Sequence, residues 1–496
     1  MKKWLKRVAI GLPLMVALAI VIFVVNWYWT RAAGLARRDS LVARLDAEDP
    51  GWRFADLIAA RNATLPPQDR NAAEVVVSAA KLAPKSVNGW IRDEQHAEML
   101  NSNHLPDKKE YTSMTALSAA CGPALKAVRP IRELSGGGFR QEFRVPNPLT
   151  VTMPYVADVA QVVHLLDLDA AARSYQGRPN EALESAHLIL GVGQTIGDEP
   201  LFVMQAYRIM VGTSAKRAVQ RTLAWGKPTT GLAEMQAAFA AELKFPRLRC
   251  AARGERGMYF TVLQNLEDDK LGVVDLVESF DSFDSGVATE IRGGLQNRIA
   301  TTYVKRDVPG HQATVLEWFD QLLSFDSLPE PERTAALETL EPPSIDFGPA
   351  SVRFMSNSWK YFRTADLRAR AVMSATIVAL ACERYRLKFS AWPATLAAIS
   401  QDILPELPTD PYTGGPLAYK IVPDGAVIYA TGPDRTDDGG VTLNDFLPLK
   451  GEDIGFHKGE DIGFRLWNPD KRGLPPLASP AIGGPRLAAA DPNSQP

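Results

Sequence analysis

Apolar positions recur along most of this chain at three- and four-residue spacing, the pattern of helices that bury one face. The first apolar run is different, because it has no polar face. Residues 8–25 are apolar apart from Gly11 and Pro13, and Trp27, Tyr28 and Trp29 follow. That length spans a hydrocarbon core, and the aromatic cluster suits a membrane–water boundary. Residues 35–57 then predict a charged amphipathic helix and a turn at Asp49-Pro50-Gly51. A capped helix follows over 69–81, with proline on both sides, and another over 113–134, stopped by the glycines at 136–138. Residues 84–112 read as polar and irregular. Between 156 and 225 the pattern gives three helices, the first ending at Gly177, the second at Gly197 and the third before Gly226. Further helical stretches lie at 232–243, 245–266, 287–303, 313–323 and 330–340, and Pro342-Pro343 marks a domain boundary.

Past that boundary the period changes. A helix over 366–388 mixes Val372, Ile377, Leu380 and Tyr385 with alanine and serine, which suits close packing on a sheet. A short helix follows Trp392-Pro393. Residues 417–421 and 427–430 read as strands around Pro423-Asp424-Gly425, and 432–440 as an Asp/Gly loop. The heptapeptide KGEDIGF begins at Lys450 and again at Lys458, a tandem copy of which the fold needs one. From Leu474 the Pro/Ala/Gly-rich tail has the composition of disorder. The expected fold is mainly α: a basic tip and transmembrane anchor over 1–34, a helical domain over 35–345, a small α+β domain over 346–470 and a disordered tail over 471–496.

Composition narrows the function. Apolar residues make up 46% and charged residues 23%, and the net charge is -2, so nothing in the charge balance argues for nucleic acid. The three cysteines are far apart and lack metal-ligand spacing, which argues against a disulfide framework or zinc site. Lys2, Lys3, Lys6 and Arg7 precede the apolar run, while Arg31, Arg37 and Arg38 follow it. With the free amino group, this places the N-terminus inside. The alternative is a cleavable signal peptide cut within TRAAGLA at 30–36, but the bulky WYW end favours a retained anchor. In a bacterium this means a single-pass inner-membrane protein whose bulk faces the periplasm, with the lipid bilayer contacted through residues 8–29.

Two local resemblances add to this reading. Ala172, Tyr175, Gly177, Ala182 and Leu183 stand where a tetratricopeptide repeat places its packing residues, although one unit also describes an ordinary αα-hairpin. The stretch from the 366–388 helix through the loop is similar to the globular part of the type II secretion major pseudopilins. It also resembles the tail of a family of uncharacterised bacterial membrane-anchored proteins. The pseudopilin resemblance implies a calcium site in the late loop. Here the matching positions are Asp410-Pro411, Gly432-Pro433-Asp434 and Asp437-Asp438-Gly439-Gly440, then Asp453-Ile454 or Asp461-Ile462. The named ligands are Asp434, Asp437 and Asp438, closed by Asp453 or Asp461, since calcium collects carboxylate and carbonyl oxygens. Arg435 departs from the pattern, the pseudopilin leader is missing, and a plain Asp/Gly turn is the competing reading. The membrane-anchored family implies a charged pair of motifs, Asp198-Glu199-Pro200-Leu201 and Arg253-Gly254-Glu255-Arg256, read as an ion-pair network or an anion site.

No catalytic motif is visible: no HExxH, GxSxG or Walker A sequence occurs, and Gly191 and Gly193 fall within a helix. The acidic cluster from Glu267 to Asp284 lacks EF-hand order and reads as a solvated face. The expected function is therefore a membrane-anchored interaction or scaffold protein of the cell envelope with an unknown protein partner. The alternatives are a membrane-tethered hydrolase using carboxylates of the helical domain, or an accessory component of a secretion or pilus-like system.

Overall fold

The computed structural model describes residues 2–87, 89, 100, 102, 104, 106–134, 136–143, 147–150, 153–272, 275, 301–302, 304–343, 345–347, 350–352, 356–440 and 461–474, and is mainly helical at 68%. Helix α1, Lys2–Glu48, runs unbroken through the apolar segment and the amphipathic one. The predicted turn ends it, with Gly51 at φ +78°. Its apolar part is long enough to cross a membrane, and Met15 to Trp29 carry large apolar side chains exposed to the surroundings. A second apolar segment, Pro148–Tyr175, passes the same length test, but Val159, Val162, Leu165 and Leu166 within it are buried in the protein core.

Helices α2 (Phe54–Thr64) and α3 (Ala72–Leu82) follow. Next come α4 (Lys108–Ala120) and α5 (Gly122–Val128). The sequence reading placed one helix over 113–134. Instead, an Asp107–Glu110 capping box starts α4 earlier, and Gly122-Pro123 restarts the helix after Cys121. Helices α6 (Tyr155–Tyr175) and α7 (Pro179–Gln194) form a hairpin turned at Gly177, φ +71°, with Ala172, Ala182 and Leu183 buried at the crossing. Helix α8 (Phe202–Trp225) packs along both. Helices α9 (Leu232–Lys244), α10 (Arg247–Glu267), α11 (Val308–Ser324) and α12 (Glu330–Thr339) continue the body, and β1 (Ile345–Phe347) pairs with β2 (Ala350–Val352).

The 34-residue helix α13, Ser356–Phe389, lies against α8, α9 and a three-stranded antiparallel sheet. That sheet is β3 (Ala418–Val422), β4 (Gly425–Ala430) and β5 (Ile462–Trp467), in that order. Central β4 is buried along its whole length, pairing Gly425 with Trp467 and Ala430 with Ile462. The second KGEDIGF copy supplies β5. The first copy with Asp453, the 287–303 helix except residues 301–302, most of the acidic cluster and the tail from 475 lie outside the described residues. One contiguous apolar cluster runs from Phe54 through α6, α8 and α13 to Leu466. A smaller cluster of Leu45, Trp52 and Leu316 seats the end of α1 on α11.

Candidate functional site

The two charged motifs meet in space. Arg61 of α2 donates to Asp198 Oδ1 at 3.0 Å and to Phe139 O at 2.6 Å, and pairs with Glu199 at 2.9 Å. Gln141 Nε2 donates to the same Glu199 oxygen at 2.7 Å. Glu255 accepts the Phe202 N–H at 2.9 Å, which satisfies one of the free donors at the start of α8. A Cβ on Gly254 would overlap the Pro200 carbonyl, and one on Gly257 would lie 2.7 Å from Trp52 O and Phe54 N. Arg253 and Arg256 both grip Asp49, just after α1, and Arg256 also reaches Asp320 at 3.2 Å. Two ion-pair groups thus hold these motifs, Arg61 with Asp198 and Glu199, and Arg253 and Arg256 with Asp49 and Asp320, and the Glu255–Phe202 N–H bond links the middle of α10 to the start of α8. Desolvation is the main cause that pushes Glu199 and Glu255 up to about 7, and it outweighs the Arg61 partner at Glu199. Neither carboxyl lines the clefts described below.

In the late loop, Asp434 Oδ1 accepts the Thr436 N–H at 3.0 Å, an Asx turn. Asp437 takes the Tyr429 hydroxyl at 2.7 Å, the Gly439 N–H at 2.9 Å and Lys420 at 3.1 Å, and these donors hold it below the ordinary carboxylate range. Asp461 is 2% exposed and accepts the Gly440 N–H at 2.7 Å. Burial, reinforced by Asp437 and Asp438, raises its pKa despite that bond. Asp438 Oδ2 is buried without a hydrogen-bond partner. Asp437, Asp438 and Asp461 are thus neighbours. Among the described residues no group of three or more His, Cys, Asp or Glu is arranged to hold a metal ion. Asp410 is committed to structure: it accepts from Tyr412 N at 2.8 Å and from Thr431 N and Oγ at 3.0 Å.

A cleft of about 810 Å³ opens between α9, α12, α13 and the segment 402–411. Arg370 and Glu330 of its lining belong to a ladder of charged side chains. Arg208 binds Glu242 through two bonds of 2.8 and 2.7 Å, Arg247 donates to Glu242 O at 2.7 Å and to Asp366 at 3.1 Å, and Arg370 binds Glu330 at 2.9 and 2.6 Å. Burial pushes Asp366 upward, yet Arg247, Arg370 and Arg333 together hold it below the ordinary range. A second cleft of about 380 Å³ lies beside the α6–α7 hairpin. Sequence reasoning missed the larger cleft because its lining comes from segments as much as 178 residues apart. The available signal was alanine at 233, 237 and 240, one shallow face of α9. No protein-family model, curated protein or solved structure matches this chain.

Proposed function

We propose that this protein is a single-pass, membrane-anchored interaction protein of the bacterial cell envelope, whose partner seats in the α9–α13 cleft. In this reading the N-terminus lies inside, α1 crosses the inner membrane and the body stands in the periplasm. The observation that carries the proposal is the cleft itself: it is large enough for a ligand, lined by alanines of α9 among charged side chains, and separate from the two most strongly raised carboxyls. A hydrolase of the kind considered above needs such carboxyls in its pocket. Retention of the anchor is supported by the stretch 30–36, which is helical and packed: a Cβ on Gly34 would lie 2.7 Å from Gly310 N. Pull-down of the tagged full chain from gently solubilised membranes tests the proposal. A partner held by the native protein and lost by Ala237→Trp is the expected result; recovery of the same set by both proteins sinks it.

A second reading concerns calcium, favoured by the unpartnered Asp438 Oδ2 beside buried Asp461. In that reading Asp438 and Asp461 hold the ion with loop carbonyls, and the α13–sheet unit works as a pseudopilin-like module in a secretion or pilus-like assembly. Calcium would offset the burial that raises Asp461 and the added repulsion from Asp437 and Asp438, and so stabilise the loop. A melting midpoint that rises with calcium in the native protein, but not in Asp438→Asn, supports it. An unchanged midpoint removes it.

A further inference from the structure

We propose that the α9–α13 cleft takes an extended segment of a partner protein, with apolar side chains on the alanine floor and one acidic side chain bound to Arg384. This deepens the interaction reading above and rests on it. On α9, Ala233, Ala237 and Ala240 recur at helical spacing, and their short side chains leave a trough beside Ile377 of α13. Leu404 and Pro405 wall it.

Most charges around the trough already have a counter-ion. Lys244 pairs with Glu406 at 2.8 Å, Arg370 with Glu330 at 2.6 Å and Arg333 with Asp326 at 3.1 Å. The Asp402 carboxylate is taken by Lys388 at 3.2 Å, outside the cleft lining. Arg384 differs. Its Nη1 donates to Gln236 Oε1 and Ile403 O, both at 2.7 Å, and its Nη2 donates to Asp402 O at 3.5 Å. Gln236 Nε2 ties into the same Ile403 carbonyl at 2.9 Å. Neutral acceptors thus hold the guanidinium in place, and among the described residues no carboxylate pairs with it. A carboxylate arriving there gains a charge-assisted hydrogen bond to a group already positioned, so little side-chain entropy is lost.

Size and position select a peptide. Arg370 and Arg384 both line the trough and are roughly 21 Å apart along α13 at 1.5 Å per residue. That matches about six residues of extended chain at ~3.3 Å each. Helix α11 runs parallel to α1, since Arg31 donates to Lys305 O at 2.7 Å just before its start and Arg44 meets Asp320 near its end. From Val25 to Arg44 the helix rises roughly 30 Å. The cleft adjoins that distal end through Asp326 and Glu330, a height that favours a protein segment over a lipid headgroup.

The test is selection of a randomised hexapeptide display library on the full chain in lipid nanodiscs, in parallel with Ala237→Trp and Arg384→Glu. The expected winners bind the native protein and not Ala237→Trp, share an acidic residue at one position, and bind Arg384→Glu at least about tenfold more weakly, the loss of one charge-assisted contact. Winners confined to the cleft but without a shared acidic residue, or indifferent to Arg384→Glu, overturn this proposal and leave the interaction reading standing. Equal recovery on native protein and Ala237→Trp overturns both.

Discussion

Glu255 shows how much one carboxyl can be displaced by its surroundings. It is 5% exposed, no cation pairs with it among the described residues, and its bond to Phe202 N–H does not offset desolvation. With a folded value of about 7 against an ordinary 4.5, the folded chain retains a proton that the unfolded chain has released. Stability from this group is therefore full below about 4.5, falls as pH rises toward 7, and stays low above it. Glu255→Gln keeps an acceptor for Phe202 N–H and removes the charge. It should raise stability at about pH 8 by on the order of 2 kcal/mol and change little at about pH 4; thermal melts at the two pH values check this. Gly254→Ala should act in the opposite direction, costing about 1–3 kcal/mol because its Cβ overlaps the Pro200 carbonyl. Neither effect is visible in the heptapeptide or motif pattern alone, since burial and close approach are set by distant residues.

At the level of elements, the joint between α1 and α11 decides whether the apolar helix is a tether or a rigid post. Gly34 faces Gly310, Arg37 Nε reaches Glu317 at 2.7 Å, Arg44 meets Asp320, and Arg256, only 2% exposed, ties Asp49 to Asp320. Exposed ion pairs contribute little, so the close helix approach and the Leu45–Trp52–Leu316 cluster carry most of the joint. Gly34→Leu should pry α1 from α11 and speed proteolysis in the 49–53 turn several-fold at unchanged secondary structure, read by limited digestion and circular dichroism. Arg256→Ala should destabilise by about 1–2 kcal/mol, since it removes the buried tie between Asp49 and Asp320 while Arg253 and Arg44 still pair with them.

Across the whole molecule, the core continues from the helical body into the α13–sheet unit. Arg472 pins the end of the described chain to Glu383 of α13 at 2.9 and 2.8 Å and to Gly226 O at 2.9 Å, close to the end of α8. A single cooperative unfolding transition is therefore expected by calorimetry, with helix signal and tryptophan fluorescence changing together. Two separated transitions would show that the shared cluster does not couple the parts. The protein should also resist carbonate extraction and keep its first residues in the mature form, as peptide mapping of the membrane-bound protein can show.

Periodicity by itself determined the helical class, the apolar N-terminal helix, the α6–α7 hairpin with its Gly177 turn, and two of the three late strands, because each is a local pattern of side chains along a few turns or residues. The two charged motifs come from a resemblance instead of from periodicity, and nothing in their spacing along the chain says that they meet. Tertiary structure alone decided that α1 is one continuous helix docked on α11, that the second KGEDIGF copy makes β5, and that Asp437 and Asp438 lie close enough to buried Asp461 to raise it. It also decided the cleft. Each of these depends on residues brought together from far along the chain, where burial and counter-charge, invisible in local spacing, set what a side chain does.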